Sequence, residues 1–204
     1  MKSLALVMMM LLGAACGDNL KGPPPPEQPP PPNPPPPLPP PPISYTDPSG
    51  GKLRLIRTSQ TSTSIALDLI VGDQPLTGYT VGFDLPFDDT KVKLDGFTPG
   101  SALNPGASPA AAMGLVSSTG PLAHQLVTVQ SQKASGMGAV TTDTTLLPGT
   151  VVYSIDLEIV QGQTGVVFDG TAPGFVLPSG GMRDRTGTTV VEAKDVAIGK
   201  LELH

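Results

Sequence analysis

The chain has 204 residues, a formal charge of −5, 14% charged residues and no tryptophan. A mildly acidic surface repels phosphate backbones, and no Lys/Arg cluster reverses that locally, which argues against nucleic-acid binding. The single cysteine cannot form an internal disulfide, so whatever folds must be held by packing and hydrogen bonds.

Lys2 and the nine-residue apolar run LALVMMMLL (4–12) open the chain. At ~1.5 Å per residue that run spans roughly 14 Å, too short to cross a bilayer but fit for the apolar part of a secretory signal. The small residues GAA follow, and then Cys16. This stretch resembles the lipobox of bacterial lipoproteins, with Gly13 where that family prefers Leu. The resemblance implies cleavage after residue 15, acylation of Cys16 and a membrane partner reached through lipid. Gly17 rather than Asp follows the cysteine, which points to a bacterial cell envelope location at the outer membrane.

Residues 23–42 contain sixteen of the 26 prolines, in blocks of four interrupted by Glu27-Gln28, Asn33 and Leu38. Proline fixes φ and lacks an amide hydrogen, so the run favours polyproline II, reaching roughly 60 Å at ~3.1 Å per residue. Residues 1–15 therefore read as signal peptide, 16–42 as lipidated cysteine plus linker, and 43–204 as the folding domain.

Beyond residue 52 the apolar residues alternate. Ile65, Leu67, Leu69 and Val71 share one face. So do Tyr79, Val81, Phe83, Leu85 and Phe87, and then Val151, Tyr153, Ile155, Leu157 and Ile159. Period two with one apolar face predicts half-buried antiparallel strands. Shorter candidates are KLRLIRT, TKVKLDGF, LAHQLVTVQSQ, TGVVFDG, TTVVEA and VAIGKLEL, separated by Gly- and Pro-bearing turns. No segment has convincing helical periodicity. The fold class is all-β, a two-sheet antiparallel sandwich of about eight or nine strands. Pro86 suggests an edge strand or a bulge, and residues 98–121 read as a long excursion between strands.

The stretch GYTVGFDLPFDDTKVKLDGF (78–97) resembles the early strands of the cohesin domain, a relative of some carbohydrate-binding modules. Phe87-Asp88 stands where that family tends to have Tyr-Asp, and Asp89 replaces a proline. GTVVYSIDLEIVQGQTGVVFD and MRDRTGTTVVEAKDVAIGKLEL resemble later strands, so the similarity spans most of residues 51–203. It implies a cohesin-like sandwich and a binding task shared with a protein partner.

Catalytic motifs are scarce. No G-x-S-x-G occurs, and the domain has only His124 and His204, too few for a zinc site. His124 reads as a strand-surface residue. Asp156 and Glu158 alternate outward about 6–7 Å apart, the spacing of a glycosidase pair, although a wet strand face carries such acids ordinarily. Asp84, Asp88 and Asp89 invite a calcium reading, but turn solvation accounts for them more simply. Tyr45 is the ring expected to be exposed, and with Asp88 and Asp89 it forms the candidate binding set. The expected function is non-enzymatic: an anchored envelope lipoprotein presenting a cohesin-like domain for protein recognition, without cofactor or metal. A carbohydrate-binding module of the same fold, taking an envelope polysaccharide, is the alternative. A hydrolase using Asp156 and Glu158 ranks third.

Overall fold

The computed structural model describes residues 42–103, 111–117, 119–132 and 139–204; the expected signal segment, Cys16 and the proline-rich spacer as far as residue 41 lie outside them. Fifteen strands and two short 3-10 turns, with no α-helix, make up the described residues. The first strands are β1 (Ile43–Thr46), β2 (Leu53–Gln60), β3 (Ser64–Val71), β4 (Leu76–Gly78) and β5 (Thr80–Pro86). Then come β6 (Val92–Pro99), β7 (Ala111–Ser117), β8 (Gln125–Ser131), β9 (Thr144–Leu146) and β10 (Val151–Ile159). The last are β11 (Gly165–Asp169), β12 (Ser179–Arg183), β13 (Thr189–Glu192), β14 (Val196–Ala197) and β15 (Lys200–Leu203).

Two five-stranded sheets carry the architecture, in the orders β14-β2-β3-β10-β6 and β13-β12-β5-β8-β7. Except for the parallel pair β14–β2, their neighbours run antiparallel. A three-stranded sheet β1-β15-β11 and a ribbon β4-β9 complete the set. The inward faces of both large sheets meet in one apolar cluster, holding Leu55, Leu67 and Leu69 from the first and Val81, Phe83 and Leu85 from the second. Phe83 and Tyr153 touch across the two sheets with ring centroids 6.3 Å apart. The domain is an all-β sandwich, as the alternation predicts.

Three expectations need correction. Tyr153, Ile155 and Leu157 point inward, but a register shift between Val151 and Tyr153 turns Val152 into the core and leaves Val151 exposed. Pro86 lies neither at an edge nor in a bulge. It is the last residue of central strand β5, opposite Gln125, where pairing with β12 has already ended at Asp84. The excursion of 98–121 is interrupted by strand β7, which caps the second sheet beside β8.

Three Asp-x-Thr turns recur at chain reversals. Asp88, Asp169 and Asp184 each accept both the amide and the hydroxyl hydrogen of the threonine two residues on. Those bonds, the hydroxyl's first, hold all three carboxyls below the usual carboxylate range.

Candidate functional site

The expected site residues do not come together. Tyr45 is buried, not exposed: the alternation of β1 points it inward with Ile43, and Phe168 packs on it edge-to-face at 6.2 Å. Its hydroxyl donates to the Leu55 carbonyl at 2.7 Å and accepts the Gly199 amide at 3.1 Å. Burial pushes its phenol up, so it stays protonated and remains a donor. Tyr45 is thus a clamp between β1, β2 and β15. None of the eight aromatic residues of the chain is exposed; only Phe97 and Phe175 are even half-buried.

Asp84, Asp88 and Asp89 point to three different places. Asp88 closes its own turn and pairs with Lys91 at 2.9 Å. Asp89 meets Nδ1 of His124 at 2.8 Å. His124 lies in the turn before β8 with φ 57°, not on the strand surface. Asp84 stands on the outer face of β5. Among the described residues no three His, Cys, Asp or Glu side chains approach closely enough to hold a metal. Asp156 and Glu158 do point outward, Asp156 opposite Ala66 and Gly96, Glu158 opposite Ser64 and Lys93. They share no hydrogen-bond partner among the described residues, and the face around them is open and polar.

The feature that sequence reasoning missed is the orientation of β8. Its apolar residues Val127 and Val129 face out, while Leu126, Thr128, Gln130 and the following Gln132 face in and are at most 2% exposed. A slip of one residue would exchange the two sets. Hydrogen bonds hold the observed register. Thr128 Oγ1 accepts from Phe83 N–H at 3.2 Å, donates to Phe83 C=O at 3.1 Å and lies 2.6 Å from the Tyr153 hydroxyl. Gln130 grips both peptide groups of Gly100, accepting from its amide at 3.2 Å and donating to its carbonyl at 2.6 Å. Gln132 donates to the Gly78 carbonyl and to Thr144 Oγ1. These bonds answer most of the cost of burying the two amides; Gln132 Oε1 alone of their polar atoms is buried without a partner.

The β8–β7 part of the second sheet's outer face is therefore apolar where a wet sheet is ordinarily polar, while Thr80, Asp84, Ser179, Arg183 and Glu192 keep the β5–β12–β13 part polar. Register places Met113 beside Val129 and Leu115 beside Val127. Met113 is 44% exposed. On the other side of β8, Val129 meets Gly82, which meets Gly181, which meets Glu192. Neither glycine has room for a side chain: a Cβ on Gly82 would stand 2.2 Å from the Thr128 carbonyl oxygen, and one on Gly181 1.9 Å from that of Val191. The result is a hollow of about 250 Å³, floored by Gly82 and Gly181, walled by Val127 and Val129, with Asp84 at one end and Arg183 at the other. Its floor is set by backbone, because neither glycine carries a side chain to fill it. Arg183 is already engaged with the Gly187 carbonyl and Thr189, whereas Asp84 has no side-chain partner among the described residues. Among the described residues Asp84 is the one carboxylate lining the hollow, and no histidine, cysteine or metal-ligand set accompanies it.

No family model matches the sequence, and no curated protein matches it. Among solved structures the chain is similar to the solution structure of CaCohA2 from Clostridium acetobutylicum, at 10% identity over 76% of this chain and 90% of that one, with a TM-score of 0.38. A likeness of that strength carries no argument about function, which rests on the residues themselves.

Proposed function

We propose that this is a non-catalytic recognition protein that binds a protein partner through the outer face of the sheet β13-β12-β5-β8-β7. One observation carries the reading: β8 buries Thr128, Gln130 and Gln132 and leaves Val127 and Val129 outside beside Met113 and Leu115. Val127, Val129 and Leu115 are half-buried and Met113 is exposed, so a partner covering this face recovers the part of their apolar area still in water, at roughly 25 cal/mol per Å². The cohesin-like reading of residues 51–203 belongs to the same proposal, as does presentation of the domain from a bacterial outer membrane by acylated Cys16 and the proline-rich linker. A sugar-binding strip finds no support, because stacking on pyranose rings needs exposed aromatic faces.

The test is capture of envelope proteins by the tagged full chain. Val129→Asp should reduce recovery of the captured protein at least tenfold, while Asp156→Asn on the opposite sheet leaves it unchanged. Equal recovery with Val129→Asp overturns the reading. For the anchor, Cys16→Ala should lose labelled palmitate and leave the membrane fraction; persistence in the membrane contradicts acylation at that position.

A further inference from the structure

The hollow on this face selects what may enter it. In the row through Gly82 and Gly181, nothing but backbone lies between Val129 on one side and Glu192 on the other. Those flanking strands are three spacings apart, about 14 Å. Its volume of about 250 Å³ is below the ~300–1,000 Å³ of small-molecule pockets but suits one large anchoring side chain, the usual core of a protein interface. The floor is bare peptide surface, and the walls Val127 and Val129 are apolar. A branched aliphatic group would leave the long floor partly uncovered, whereas a flat ring covers it. Of the two charged ends, Arg183 is held by its own hairpin, and the half-buried carboxylate of Asp84 is the one without a side-chain partner among the described residues. The occupant therefore needs a flat apolar body and a hydrogen-bond donor at its edge.

We infer that the hollow is a socket for one aromatic side chain of the protein partner, a tyrosine or tryptophan. Its ring lies on the Gly82–Gly181 floor, and its O–H or N–H is donated to Asp84. This rests on the reading of the face as a protein-recognition surface and adds the chemistry of the anchor.

The test uses the full chain labelled with ¹⁵N and titrated with small amides. N-acetyl-tryptophanamide and N-acetyl-tyrosinamide should shift the backbone amide signals of Gly82 and Gly181 saturably. The 1-methyltryptophan analogue, which lacks the donor, should bind several-fold more weakly, as should Asp84→Asn titrated with the parent amide. Ser179→Phe, an exposed rim position opposite Asp84, should place its own ring in the hollow and abolish the shifts. The proposal is overturned if no saturable shift occurs, if the cyclohexylalanine or arginine amide binds as tightly, or if methyl glucoside shifts the glycines instead. Partner capture separates the two levels of the argument. If Val129→Asp abolishes capture but Asp84→Asn and Ser179→Phe do not, the face stands and the socket falls. If Val129→Asp has no effect, both fall.

Discussion

The outer faces of the two large sheets are made from strands of similar length but opposite habit. On the first, Ser64, Ala66, Asp68, Ser154, Asp156, Glu158 and Lys93 stand outward over a wholly apolar inner face, with Ile56 and Ile70 as apolar members near β2. On the second, β8 reverses the pattern, keeping its amides and hydroxyl inside and its valines outside. The first face is mostly polar and has less apolar area to gain from being covered. The second leaves apolar area in water and a hollow that its own side chains cannot fill. Hydrophobic burial alone would have chosen the other register of β8, so the buried hydrogen bonds must decide it.

The comparison can be broken at several points. The largest effect is expected at Gln130→Ala, which leaves the Gly100 carbonyl unpaired and empties a fully buried site, while Gly100 N–H keeps the Val152 carbonyl at 2.9 Å. The loss should be about 2–4 kcal/mol by urea unfolding, from ~1–3 kcal/mol for the unpaired carbonyl plus the cavity left by the side chain. A loss near zero would mean that the inward amide is not what fixes β8. Tyr45→Phe comes next, because it leaves the Leu55 carbonyl and Gly199 amide unpaired. About 1–3 kcal/mol is expected in the same assay, with partner capture unchanged. Val129→Asp sets a charge at a half-buried position of a central strand and should cost about 1 kcal/mol, leaving the protein folded while capture collapses. Stability and binding thus separate on the second face, whereas Asp156→Asn should move neither.

The smallest effect is a pH dependence seated in the turns rather than in either large sheet's face. Asp88, Asp169 and Asp184 have folded-state pKa values below their unfolded ones. Their contribution is therefore fully present above the unfolded carboxylate range near 4 and is lost as pH falls through the lower folded values. Thermal unfolding followed from pH 6 to pH 2 should show a Tm decline that is shallower in the triple Asp→Asn variant. An identical slope would detach these turns from the acid response.

Much of the fold was legible because period-two alternation is strong where a strand buries one apolar face. The runs in β3, β5 and β10 announce themselves that way, apart from the local slip at Val151. Strands β1, β4, β7, β9 and β12 were not legible. Three or four residues of ISYT, LTG and TTL carry too little period, and the small residues of AAMGLVS and SGGMR have little hydrophobicity to alternate. Tyr45 misled for the same reason: a ring next to a proline-rich spacer reads as exposed until β15 is seen to pair with β1. The candidate face was invisible because LVTVQSQ gives apolar residues in one parity and Thr and Gln in the other. Only the partners Phe83, Gly100, Gly78 and Thr144, most of them distant in sequence, show that the polar parity is held inside by hydrogen bonds, all but Gln132 Oε1 being paired. The Gly82–Gly181 hollow likewise needs register across two strands.

Maleimide labelling of Val129→Cys in the full chain, against the parent with its Cys16 as background, tests the central claim most directly. The purified protein should label without denaturant and become protected when the captured envelope partner is bound, while Thr128→Cys labels only on unfolding. A Val129→Cys thiol that is unreactive in the purified protein, or equally reactive with the partner bound, would contradict an outward-facing recognition strand.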